Sequence, residues 1–220
     1  MTQLRLLGLS GSLRRASNST AVLRGLQDAL APEAALDIFS LHGLPLYNED
    51  DDGEHAPEWV RALRSAIETS DGVIMVSPEY NHGMSGVLKN GLDWASRPYG
   101  RSVLRGKPVL TMTASPAFTG GVRAQQQMNE TLASIPARPM LRPQIVIGGV
   151  HEKVRDGASS TKPRCALRWR ASMTSSRRSG QRALFERRRE RDGRYAAARW
   201  RSACRPLVDS VAKLLKCRAA

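Results

Sequence analysis

The run Val73-Ile74-Met75-Val76 limits the folds open to this 220-residue chain more than any other segment. Four consecutive apolar residues sit between Gly72 and Ser77-Pro78, and their lack of alternation predicts a short strand buried on both faces. Such a strand belongs inside a parallel sheet with helices packed on either side.

The flanking sequence has the same rhythm. Apolar runs predict further strands at residues 4–9, 36–41, 108–113 and 143–147, with the third at 72–76. Helical stretches lie between them at 17–30, 57–69, 85–95 and 122–134. In the first, Leu23, Leu26 and Leu30 share one face. Pro57 opens the second, where a missing backbone N–H costs nothing. Residues 44–54, with Leu-Pro-Leu-Tyr-Asn followed by the acids Glu49 to Asp52, read as a surface loop. The alternation predicts an α/β fold with a doubly wound, five-stranded parallel sheet of order 2-1-3-4-5, whose ligand lies beyond the carboxyl ends of the strands.

Two loops hold the chemistry. Ser10-Gly11-Ser12-Leu13-Arg14-Arg15-Ala16-Ser17-Asn18 joins the first strand to the first helix, where free backbone N–H groups and the helix dipole favour a phosphate. Gly11 permits a tight turn; Ser10, Ser12 and Ser17 bring hydroxyls, Asn18 an amide and Arg14 a charged fork. The nucleotide-hydrolysing phosphate loop and the three-glycine dinucleotide loop are both excluded by spacing. A plain helix cap is the competing reading of the same residues. The second loop, Ser77-Pro78-Glu79-Tyr80-Asn81-His82-Gly83, leads into Leu88-Lys89-Asn90-Gly91-Leu92-Asp93-Trp94. With the first and third strands adjacent, both loops open onto one crevice.

Together, Gly-Ser-Leu-Arg-x-x-Ser-Asn, Pro-Glu-Tyr-Asn-His-Gly and Leu-Lys-Asn-x-x-Asp-Trp resemble the NADPH-dependent FMN reductase family, which includes chromate, quinone and azo-dye reductases. The match spans about residues 4–148 and implies a flavodoxin-like fold. The resemblance places the FMN phosphate on Ser10, Ser12, Leu13, Arg14, Ser17 and Asn18, and the ring against Pro78, Glu79, Tyr80, Asn81 and Gly83. A third loop, residues 114–123, adds Ser115, Gly120 and Gly121. It also implies NADPH or NADH as hydride donor, a small-molecule oxidant as acceptor, ping-pong kinetics, and a homodimer or homotetramer. The chemistry centres on the flavin, so no catalytic side chain and no metal ligand is expected.

Single residues have plainer readings as well. Glu79 is either a surface carboxylate or a neighbour of the ring, His82 reads as an exposed imidazole, and Lys89 and Asp93 as a surface pair. Trp94 belongs in the core or at a subunit contact. Arg14, Arg15 and Arg101 are candidates for a 2′-phosphate by charge.

Charge divides the chain. Residues 1–150 carry 14 basic and 14 acidic side chains, whereas residues 151–220 carry 20 and 6, the whole net charge of +14. Cys165, Cys204 and Cys217 all lie in the second part, in no zinc or redox spacing. The expected organisation is a flavin domain at 1–150 and an irregular, arginine-rich extension at 151–220, disordered or partly helical. Three readings of the extension stay open: the product of a shifted reading frame, a basic tail for nucleic acid or anionic lipid, and a helical oligomerisation element. No leader or membrane span is apparent, so a cytoplasmic protein is expected. An electron-carrying flavodoxin and a nucleic-acid-binding protein acting through the basic tail are the alternative functions.

Overall fold

A computed structural model describes residues 3–31, 34–141 and 144–154, all within the first of the two units, Met1–Thr161 and Lys162–Ala220, into which the chain divides. The arginine-rich extension, expected to be disordered or partly helical, lies beyond residue 154 outside the described residues.

Strands β1 (Leu4–Ser10), β2 (Ala34–Phe39) and β3 (Gly72–Ser77) alternate with helices α1 (Asn18–Leu30) and α2 (Glu58–Thr69). A two-residue hairpin, β4 (Glu79–Tyr80) and β5 (Gly83–Met84), precedes α3 (Gly86–Ala95). Then come β6 (Pro108–Ala114), α4 (Val122–Ser134), β7 (Arg138–Pro139), β8 (Ile145–Ile147) and α5 (Val150–Lys153). The main sheet runs β2-β1-β3-β6-β7 with every pair parallel. The β7 strand pairs with the start of β6 and β8 with its end, so the expected fifth strand consists of two short pieces beside one neighbour.

All six residues of β3 and all seven of β6 are buried, as central strands between two helical layers must be. Leu7, Leu9, Val73, Met75 and Val109 form one core with Leu63 and Ile67 of α2, Leu88 and Leu92 of α3, and Met128 and Leu132 of α4. The opposite face receives α1: a Cβ on Gly8 would lie 3.1 Å from the Leu23 side chain, so glycine there lets the helix settle close.

Several elements differ from the sequence expectation. The second strand begins two residues earlier and ends at Phe39. Pro57 occupies the N-cap of α2, its carbonyl accepting from Val60 N and Arg61 N. Residues 44–54 are no free loop. The Pro45 carbonyl accepts from both Asn90 Nδ2 (2.8 Å) and Trp94 Nε1 (2.9 Å), Asn90 Oδ1 accepts from Tyr47 N (2.8 Å), and Asp52 pairs with Arg64 at 2.7 Å. Apolar Leu44 and Tyr47 pull the segment onto buried Trp94, and of the acids that signalled solvent only Glu49, Asp50 and Asp51 decorate its outer turn. Order also continues past Gly149 into the short α5.

Candidate cofactor site

Because β1, β3 and β6 are adjacent and parallel, the loops that leave their carboxyl ends share one edge of the sheet. Gly11 joins the first two. Its N–H donates to Val76 O at 2.8 Å, and a Cβ there would stand 2.7 Å from Ser85 Oγ and 3.2 Å from Pro78 Cδ and Ser77 Cα. The glycine that read as a turn for ligand approach is where the second loop packs against the first.

In the first loop the serines divide by role. Ser10 Oγ accepts from Thr20 Oγ1 (2.9 Å) and Ser12 N (3.3 Å), and Ser17 Oγ caps α1 by accepting from Thr20 N (3.1 Å). Both residues are buried, and the hydrogen bonds they accept help shape the loop. Ser12 and Asn18 are half-buried, and Leu13, Arg14 and Arg15 are exposed along the outer curve. The first turn of α1, Asn18-Ser19-Thr20-Ala21, carries no acid. A 13-residue helix whose N-terminus meets only neutral side chains and two arginines suits a phosphate in dipole and charge.

The second loop is the β4–β5 hairpin, an element that its six residues did not announce. Asn81 (φ 49°) and His82 (φ 66°) both adopt left-handed backbone at the tip, as a mirror-image two-residue turn demands. Both are exposed, His82 as expected, and Tyr80 projects with about half its surface free. Pro78 accepts at its carbonyl from Ser77 Oγ (2.8 Å), and that hydroxyl accepts from Ser85 N (3.2 Å). Glu79 is half-buried and reaches across to α4: Oε2 accepts from Arg123 N (3.0 Å) and Ala124 N (3.1 Å), capping that helix. Gln127 Oε1 accepts from Met84 N at 2.7 Å and lies where a Cβ on Gly83 would be 2.8 Å away. The space at Gly83 therefore belongs to Gln127. Sequence reading missed Gln127 and the capping role of Glu79, since neither partner lies within 40 residues.

In the third loop, Ser115 N donates to Ile147 O, Ser115 Oγ accepts from Ala117 N, and Gly120 N closes a turn onto Ala117 O. Gly120 (φ 68°) and Gly121 (φ 93°) are both left-handed. A Cβ on Gly120 would stand 2.9 Å from Gly148 N, and one on Gly121 would stand 3.3 Å from Glu79 Cβ. The glycine pair thus meets β8 on one side and the hairpin on the other. Thr113 Oγ1 is buried beneath this loop with no partner among the described residues.

The structure gathers the three loops and leaves Arg101 out. Helix α3 carries the chain back along the sheet, so Arg101 lies beyond its C-terminus, in the connection that leads to the start of β6. Lys89 and Asp93 pair at 2.7 Å on α3, and Trp94 is fully buried against Ala56 and Val60. Among the described residues no group of three or more His, Cys, Asp or Glu is placed to hold a metal.

A doubly wound sheet with an acid-free helix N-terminus, a hairpin and a double-glycine loop on one edge defines a flavodoxin-like flavoprotein. The chain belongs to the NADPH-dependent FMN reductase family, whose model matches residues 4–152. It is 38% identical over 146 residues to a quinone reductase of Pseudomonas putida KT2440, covering 66% of this chain and 78% of the relative. It is 37% identical to an NAD(P)H-dependent FMN reductase of Pseudomonas aeruginosa PAO1, covering 66% and 77%. The flavoenzyme NAD(P)H:acceptor oxidoreductase FerB of Paracoccus denitrificans superposes with a TM-score of 0.61 at 33% identity, over 64% of this chain and 78% of that one.

Proposed function

We propose that the protein is an NAD(P)H-dependent quinone reductase that works through FMN. The observation that carries this reading is the convergence of the three loops on one sheet edge in a chain 38% identical to a quinone reductase. When bound, FMN accepts a hydride from NAD(P)H and passes two electrons to the acceptor.

The chain's own part is to bind and orient. The backbone N–H groups at the start of α1, with Ser12, Leu13, Arg14 and Asn18 around them, hold the phosphate. Ser10 and Ser17 keep that loop in shape. Pro78, Tyr80 and Asn81 at the hairpin and Ser115, Gly120 and Gly121 in the third loop flank the ring. Glu79 and Gly83 act at one remove, through α4. Backbone groups held this rigidly stabilise charge on the reduced ring without titrating.

The reading extends to organisation. Residues 1–150 form the flavin domain, residues 151–220 an accessory arginine-rich segment, and the enzyme works as a homo-oligomer. Among the described residues no helix is long and apolar enough to cross a membrane.

The test begins with the visible spectrum of the purified chain, followed by anaerobic addition of NADPH and then of a benzoquinone. Bleaching by NADPH, recovery on adding quinone and parallel double-reciprocal plots are expected. A protein that takes up no flavin overturns the reading, and one that bleaches only slowly supports an electron carrier instead. Light scattering at several concentrations reads the oligomeric state, and a monomer throughout rejects the assembly.

A further inference from the structure

We propose that Glu79 is a positioning residue that makes the second and third flavin loops one rigid body, an inference that rests on the flavin reading above. Besides α3, which is capped by its own Ser85 Oγ, two helix N-termini open near the cofactor edge, those of α1 and α4. The first is flanked by arginines with no acid in its opening turn, so it is left for a ligand's phosphate. The second is already filled by the chain's own carboxylate.

Both bonds from α4, Arg123 N at 3.0 Å and Ala124 N at 3.1 Å, end on the same oxygen, Oε2 of Glu79. Gly121, which opens α4, brings its Cα so near that an added Cβ would stand 3.3 Å from Glu79 Cβ. Four residues on from Arg123 along the helix, Gln127 of α4 ties down the opposite strand through Met84 N at 2.7 Å. The hairpin is thereby fastened to one helix at both strands. Its tip, Asn81 and His82, is a mirror-image turn whose left-handed backbone asparagine and histidine tolerate, so the tip's shape is local. The two ties to α4 fix where that turn stands, and they set the distance between the hairpin tip and the Gly120–Gly121 turn across which the flavin ring is held.

The mechanism is geometric, which makes it separable from charge. Because one oxygen takes both bonds, the carbonyl of a glutamine can replace it, whereas alanine leaves both amides bare. Full-length wild type, Glu79→Gln, Glu79→Ala and Gln127→Ala are compared by FMN titration, visible circular dichroism of the bound flavin, and melting temperature. Glu79→Ala and Gln127→Ala raise the FMN dissociation constant about tenfold and alter the flavin dichroism, the scale expected when one or two hydrogen bonds that position a loop are lost. Glu79→Gln stays within about twofold of wild type in affinity and keeps its dichroism.

Wild-type affinity in Glu79→Ala overturns the proposal, as does a Glu79→Gln loss equal to that of alanine. A drop in melting temperature with an unchanged dissociation constant and dichroism also overturns it, since a merely structural tie would do just that. Should Glu79→Ala fail to fold, Gln127→Ala and Glu79→Gln decide on the same criteria. Wild type that takes up no FMN rejects the flavin reading itself, and is seen before any variant is compared.

Discussion

Gly11 has little freedom where the first loop meets the second. A methyl group there would press on Ser85 Oγ at 2.7 Å and on two further atoms at 3.2 Å. Gly11→Ala is expected to cost about 1 to 3 kcal/mol of stability, as overpacking at a rigid contact does. It should weaken FMN binding more than NADPH use at saturating FMN, which a flavin titration beside a urea melt will separate. The importance of Gly11 was legible in the sequence; its partner was not. Contact with Ser77, Pro78 and Ser85 arises only when β1 and β3 lie side by side. The same holds for Glu79, whose two bonds reach Arg123 and Ala124, more than 40 residues along the chain.

At the scale of elements, caps and clips hold the loops. Ser17→Ala removes the acceptor for Thr20 N and is expected to cost about 1 kcal/mol. Chemical denaturation checks the stability, and a weaker FMN dissociation constant should accompany it because the capped turn is also the phosphate turn. The segment that crosses α2 and α3 has its own clip in Asp52 and Arg64, both nearly buried, with Arg64 also donating to Trp94 O. Burial acts to raise the Asp52 carboxyl, but hydrogen bonds from Arg64 and from Gly53 N, with the charges of Arg64 and Arg97, outweigh it and hold the group below its ordinary value of 3.8. A folded value below the unfolded one stabilises the protein above the unfolded value, and the contribution is lost as pH falls through the folded one. Asp52→Asn should therefore be less stable than wild type at neutral pH, with the gap closing below about pH 4, as paired melts across pH will show.

For the molecule as a whole, a ligand that binds only the folded state adds stability in proportion to its saturation. FMN at a hundred times its dissociation constant should add about 2.7 kcal/mol, read as a rise in the melting temperature of about 5 °C or more. A chain whose melting is indifferent to FMN would contradict the site. Because binding is linked to the whole folded state, this stabilisation is shared by the sheet beneath the loops. All of β3 and β6 is buried, and one continuous core runs from Leu7 to Met128 through α2, α3 and α4.

The sequence by itself determined the α/β class, the order of the main strands, the placement of four helices to within a residue or two, and the two loops that carry the family's signature. These are properties of local pattern: apolar runs, helical spacing, and glycine and serine where a strand hands over to a helix. Tertiary structure alone decided which distant partners the loop residues meet. Glu79 caps a helix more than 40 residues on, Gly83 makes room for Gln127, and α3 carries Arg101 toward the start of β6. It also turned residues 44–54 from a loop into a clip on Trp94 and split the fifth strand into two pieces along β6. Each of these outcomes depends on which partner a side chain meets across the fold, and a distance between residues far apart in the chain is a quantity that no local pattern contains.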